Sequence, residues 1–297
     1  MSLPLMDIPA ILRHYSLRPD KKLGQNFLID PAALERIVQI AEISPHDCVL
    51  EIGPGLGSLT RYLAATARRV VAVELDRKLI PVLNDILVGY PNVTLIQGDI
   101  LALNPKVILE KGCQIEDRDE LADYLVVANI PYYITSALIR HLLEAPVKPA
   151  RLVLTVQREV AERICASPGD LSLLALSVQV YGVPQVKTHI PAGAFYPAPQ
   201  VDSAVVRVDL YPEPLIPQDW LGDFFHLAKA GYSQKRKTLR NALSGGLASP
   251  AQQVSELLTQ AGIDPQQRAE TVTLIEWKAL TNLYRQRAHP GGISPSV

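Results

Sequence analysis

Between residues 48 and 157 the sequence alternates short apolar runs with stretches of helical spacing, and no other feature constrains its fold so tightly. The runs 49–52, 70–73, 93–96, 125–128 and 152–157 read as buried strands. Strands joined by helical crossovers lie parallel, so a mainly parallel sheet covered by helices follows. A further run, 204–210, comes after a proline-rich loop (Pro191, Pro197, Pro199) and is expected to end the sheet. Upstream, Asp30-Pro31 offers an N-cap and a first-turn proline, with Leu34, Ile37, Val38 and Ala41 at helical spacing behind it. The lead before that helix, with Arg13, Arg18, Lys21 and Lys22, is expected to be flexible.

Past Tyr211 the pattern changes. Pro212, Pro214 and Pro217 mark a linker, and helical spacing resumes over 220–243. Asp264-Pro265 is expected to open a short helix, and Thr273-Leu274-Ile275-Glu276 has the form of a capping box for a last helix ending near Arg287. The expectation is an α/β chain with a Rossmann-like sheet domain over 1–210, a small all-helical domain over 211–297, and a disordered tail at 290–297.

Composition narrows the function classes. No apolar run approaches the ~18 residues of a bilayer span, and the first twelve residues do not read as a secretory leader, so a cytoplasmic protein without membrane contact is expected. Cys48, Cys113 and Cys165 are widely spaced and the six histidines scattered, which points to reduced thiols and to no metal. The net charge of −1 says nothing about nucleic acid, but its distribution does. Lys229, Lys235, Arg236, Lys237 and Arg240 follow one another with no acidic residue between them: a solvated helix face, or a set of phosphate ligands.

Leu50-Glu51-Ile52-Gly53-Pro54-Gly55-Leu56-Gly57-Ser58 stands where the first strand turns into its helix, the edge at which open parallel sheets bind ligands. Glycines there let the backbone approach a ligand closely, and Ser58, in place of a further glycine, moves the match from nicotinamide cofactors to the E-x-G-x-G-x-G form of methyltransferases. Glu74 ends the second strand 21 residues past Gly53, the distance at which a carboxylate reaches ribose hydroxyls; Asp76 is its nearby competitor. Asp99, after the third strand, is either a turn aspartate or an acceptor for an adenine amino group.

The fourth strand runs into Val127-Ala128-Asn129-Ile130-Pro131-Tyr132-Tyr133. An exocyclic adenine amine is a poor nucleophile, because its lone pair is delocalised into the ring. An acceptor from the Asn129 amide and another from the carbonyl of Ile130 or Pro131 would take its two protons and aim the lone pair at a methyl donor. Proline fixes the turn, Tyr132 offers a ring on which a flipped base can stack, and Tyr133 is read as packing.

These stretches resemble the ribosomal RNA adenine N6-dimethyltransferases, whose bacterial members act on small-subunit RNA and are linked to kasugamycin sensitivity. Leu23-Gly24-Gln25-Asn26-Phe27-Leu28, Gln157 through Arg163, Phe195 through Ser203, Ser233 through Asn241, and Asp264-Pro265 with Arg268-Ala269-Glu270 are similar to further signatures of that family. The resemblance implies a class I methyltransferase sheet, S-adenosylmethionine as cofactor, and cofactor contacts from Asn26, Leu28, Gly53, Gly55, Glu74, Asp99 and Asn129. It makes Asn129, Pro131 and Tyr132 the catalytic group and places Phe195, by itself a core residue, beside the target base. Lys235, Arg236, Lys237 and Arg240 become RNA contacts. The implied reaction puts two methyl groups on each of two adjacent adenines near the 3' end of 16S ribosomal RNA, with the immature small subunit as partner; apart from the resemblance, a monomer is assumed. Two readings compete: a related enzyme of large-subunit RNA, and a binding factor without turnover. The stretch 105–123 is longer and more acidic than the family pattern (Glu110, Glu116, Asp117, Asp119, Glu120, Asp123) and reads as a solvated loop, and the family's glycine-centred wording after Cys165 is missing.

Overall fold

The computed structural model describes residues 3–113 and 124–288. The acidic residues from Glu116 to Asp123 and the tail at 290–297 lie outside the described residues. The chain divides into two compact units, Met1–Glu162 with Val183–Leu210, and Arg163–Gly182 with Tyr211–Val297. The expected boundary after residue 210 is therefore only part of the division. Residues 163–182 join the helical unit, where the backbone N–H groups of Gly169 and Leu171 both donate to the carbonyl of Glu270.

In chain order the first unit holds α1 (Ile8–His14), β1 (Phe27–Leu28), α2 (Pro31–Ala41), β2 (Cys48–Ile52), α3 (Ser58–Ala64), β3 (Arg69–Glu74), α4 (Ile80–Ile86) and β4 (Val93–Gln97). There follow α5 (Pro105–Cys113), β5 (Leu125–Asn129), α6 (Thr135–Leu143), β6 (Arg151–Gln157) and α7 (Arg158–Ile164), whose end crosses into the second unit. After α8 (Leu173–Gln179) of the second unit, the chain returns through β7 (Gly182–Ile190), β8 (Phe195–Tyr196) and β9 (Ser203–Leu210). The seven-stranded sheet has the order β4-β3-β2-β5-β6-β9-β7. β2 to β6 pair in parallel, while β9 runs antiparallel to β6 with Thr155 opposite Val205. The apolar runs became strands because helices cover both faces: Val49, Leu50, Val70, Val71, Val126 and Val127 have no exposed surface.

Two expectations fail here for physical reasons. The lead is not flexible throughout: Asp7 accepts from the Ala10 N–H at 2.9 Å, and α1 buries Ile8 and Leu12 against Phe27, Leu56 and Leu83. β7 went unread because it is an edge strand whose exposure alternates and which contains Pro184 and Lys187, so no apolar run marks it.

The second unit is helical, with α9 (Leu221–Tyr232), α10 (Leu239–Gly246), α11 (Ala251–Gln260) and α12 (Leu274–Ala288). Trp277, fully buried, stands edge-on to Phe224 and stacks on Tyr232 at 6.2 Å between centroids. The capping box forms as read: Glu276 accepts from the Thr273 N–H at 2.7 Å, and Thr273 Oγ1 accepts from the Glu276 N–H at 3.2 Å. The helix expected over 220–243 is instead two. The chain turns after Tyr232, and Thr238 caps α10 by accepting from the Asn241 N–H. Asp264-Pro265 opens a turn rather than a helix, with the Asp264 carboxylate accepting from the Gln266 N–H at 2.9 Å.

Candidate active site

Strand order reverses at β2, which has β3 on one side and β5 on the other, and loops at the carboxyl ends of these strands surround a cavity of about 230 Å³. Gly53 and Gly55 after β2, Glu74 ending β3, Asp99 after β4 and Asn129 ending β5 all line it, and so do Asn26 and Leu28. The four loops read from sequence as one site thus converge.

The backbone of the glycine loop is left-handed at Gly53 (φ +70°), Gly55 (+61°) and Gly57 (+81°), a region that side chains disfavour. At Gly55 space forbids them as well, since a Cβ would stand 2.9 Å from a Phe27 ring carbon. Glu74 holds this loop in place. Its Oε2 accepts from the Gly55 N–H at 3.1 Å and its Oε1 from the Asp76 N–H at 2.8 Å. Burial pushes its pKa upward against these hydrogen bonds. Each oxygen keeps acceptor capacity for a hydroxyl. Asp76 is absent from the lining and is otherwise occupied, taking the Gln25 side-chain amide at 2.9 Å and the Lys78 N–H at 3.0 Å. Asp99 is exposed and does what a turn aspartate does, accepting from the Leu101 N–H at 2.9 Å, yet it also lines the cavity.

The Asn129 Nδ2 donates to the Asn26 carbonyl at 3.1 Å, and Oδ1, the acceptor end of that amide, takes no hydrogen bond among the described residues. Pro131 lines the cavity, and its carbonyl accepts from the Ile134 N–H at 3.2 Å. The backbone of Tyr132 begins a 3-10 turn; its side chain lies outside the described residues. Tyr133, read as packing, is instead 58% exposed and on the cavity wall. Phe195 takes the opposite correction: it is 3% exposed, belongs to the core with Leu28, Leu34 and Ala194, and does not line the cavity. It pairs with Leu28 across the small β1–β8 sheet, and strand alternation turns it inward while turning Tyr196 outward.

The leading acid of the E-x-G-x-G-x-G motif, to which the sequence assigns no separate task, also lines the cavity. Glu51, 1% exposed, has an Oε2 without a hydrogen-bond partner among the described residues. Loss of hydration raises its carboxyl to about 8, with the charge of Glu74 adding to the shift and the Thr60 hydroxyl opposing it. Its sequence signals are that motif position and its place as a single acid in the apolar run 49–52.

Of the expected cations in the second unit, Lys235, Arg236 and Lys237 lie in the turn between α9 and α10, while Lys229 is in α9 and Arg240 in the first turn of α10. Lys235, Arg236 and Lys237 are exposed; Arg240, half-buried, donates to Asn241 Oδ1 at 3.2 Å.

An unpartnered carboxyl oxygen on the cavity wall, a left-handed glycine loop that presents bare backbone there, and paired acceptors for hydroxyls all fit S-adenosylmethionine. With the sheet order, they define a class I methyltransferase that uses this cofactor. Residues 17–286 match the ribosomal RNA adenine dimethylase family, and the chain belongs to it. The ribosomal RNA small subunit methyltransferase A of Dehalococcoides mccartyi is 45% identical over 276 residues, 93% of this chain and 92% of that protein. Among solved structures, the 23S rRNA methyltransferase ErmE aligns with a TM-score of 0.66 and 29% identity over 87% of this chain and 99% of its own. The dimethyladenosine transferase of Plasmodium falciparum shares the fold at a TM-score of 0.72 and 23% identity, covering 88% of this chain and 98% of its own.

Proposed function

We propose that this chain dimethylates the N6 amines of two adjacent adenosines near the 3' end of 16S ribosomal RNA, working as a cytoplasmic monomer on immature small subunits. The carrying observation is the convergence of Gly53, Glu74, Asp99 and Asn129 on one cavity. Likeness along nearly the whole length to a small-subunit enzyme, at higher identity than to ErmE, favours the small subunit over the large.

When bound, S-adenosylmethionine supplies a methyl group activated on a sulfonium. Glu74 would hold the ribose hydroxyls, Asp99 the cofactor's adenine amine, and Asn26, Leu28 and Gly55 the rest of the pocket. Asn129 Oδ1 and the carbonyl of Ile130 or Pro131 accept the two protons of the target amine, turning its lone pair out of conjugation. Tyr132 stacks on the flipped base. The proton leaves to water, because the alkylated amine is acidic until it does. Phe195 backs this region from the core without touching the base. Lys235, Arg236, Lys237 and Arg240 hold RNA phosphates, contacts that position without specifying sequence.

The test is Asn129→Ala. Methyl transfer is expected to fall by about a hundredfold or more in a protein with an unchanged circular dichroism spectrum. Near-normal turnover would remove Asn129 from the mechanism and return the binding-factor reading.

A further inference from the structure

Tyr133 lines the cavity, yet the mechanism above gives it no part. It is 58% exposed and forms part of the cavity wall. One side of it is backed. Gly24 (φ +62°) sits so close that a Cβ there would stand 3.5 Å from both Pro131 Cβ and Tyr133 Cδ1. The ring thus stands beside Gly24 and Pro131 at the lip of the cavity, with more than half of its surface open. Asp20, Asp99 and Glu74 all lie near enough to act on its hydroxyl. Three carboxylates repel a phosphate and leave an uncharged base as the part of an RNA chain that this spot can accept.

We infer that Tyr133 is a second stacking platform, holding the nucleobase next to the adenine that is being methylated. This rests on the function proposed above: if two adjacent adenosines are substrates, then while one is in the cavity the other is a single phosphodiester link away, at its mouth. An exposed ring there keeps the neighbour from re-stacking on the extruded base and drawing it back. Tyr133 is a positioning residue in this account, acting on the strand and not on the reacting atoms.

The experiment is a double-mutant cycle on the full-length protein, using small subunits reconstituted with 16S RNA whose neighbouring adenosine is normal or abasic. Tyr133→Leu is expected to raise KM for the subunit by about fivefold or more, with kcat at saturation and calorimetric affinity for S-adenosylmethionine unchanged. Tyr133→Phe is expected to behave as the native protein, since the ring and not the hydroxyl is used. Removing the neighbouring base is expected to cost the native protein a similar factor and to cost Tyr133→Leu nothing further. Losses that multiply, or a Tyr133→Leu variant with native KM, would overturn the inference. Absence of methyl transfer by the native protein on unmodified subunits would instead overturn the function itself.

Discussion

The carboxyl of Glu51 has given up its water and has no hydrogen bond for Oε2 in return. Its folded pKa of about 8 lies well above the unfolded value near 4.5, so below about 4.5 both states are protonated and nothing is lost. Between the two values the unfolded chain releases a proton that the folded chain keeps, and stability falls as pH rises, by at most ~1.4 kcal/mol per pH unit, levelling off above the folded pKa. Glu51→Gln removes that titration. The melting temperature of the variant minus that of the native protein is expected to climb by a few °C per unit between pH 5 and pH 8. A difference that stays flat over that range would mean that Glu51 is already ionised. The same residue shows what sequence could not say. An acid inside an apolar run is visible, but how far its carboxyl is stripped of water, and which charges stand beside it, depends on elements elsewhere in the chain, Glu74 at the end of β3 among them. Phe195 is the converse case: its reading as a core residue agrees with its burial, while motif likeness alone carries no information about which face of a two-residue strand looks inward.

At the scale of elements, what was legible was what local chemistry decides. Asp30-Pro31, Thr273 with Glu276 and the five parallel strands, all buried but the edge strand β4, each state their structure within a few residues. What escaped depended on partners far along the chain: α1 is ordered by the hydrophobic cluster it joins, and β7 is a strand because β9 lies beside it. The α9–α10 break belongs to this class. A continuous helix was the local expectation, yet α10 packs back on α9 so closely that a Cβ on Gly246 would stand 2.6 Å from Ala230 Cβ. Gly231 meets the same crowding, its missing Cβ lying 2.7 Å from the Trp277 ring. Gly231→Ala gains about 1 kcal/mol of helix propensity but must displace a buried indole, and overpacking costs about 1–3 kcal/mol. Chemical denaturation is expected to show a net loss, and a stabilised Gly231→Ala would show that the Trp277 contact is loose.

For the whole molecule, near-neutral net charge conceals a local concentration of cations. In the turn between α9 and α10, Lys235, Arg236 and Lys237 are exposed in succession. Replacing these three with alanine is expected to weaken RNA binding and lower the slope of log affinity against log salt by as much as ~2 to 3, with calorimetric affinity for S-adenosylmethionine intact. An unchanged slope would mean that phosphates are held elsewhere. The central claim, that one cavity brings a methyl donor and an adenine of small-subunit RNA together, is open to a single direct measurement. Immature small and large subunits from a strain lacking the activity are incubated with the protein and labelled S-adenosylmethionine, and both RNAs are digested for mass spectrometry. The expected result is dimethyladenosine at two adjacent positions near the 3' end of 16S RNA and none in 23S RNA. Label in 23S RNA alone, or in neither, would contradict the account.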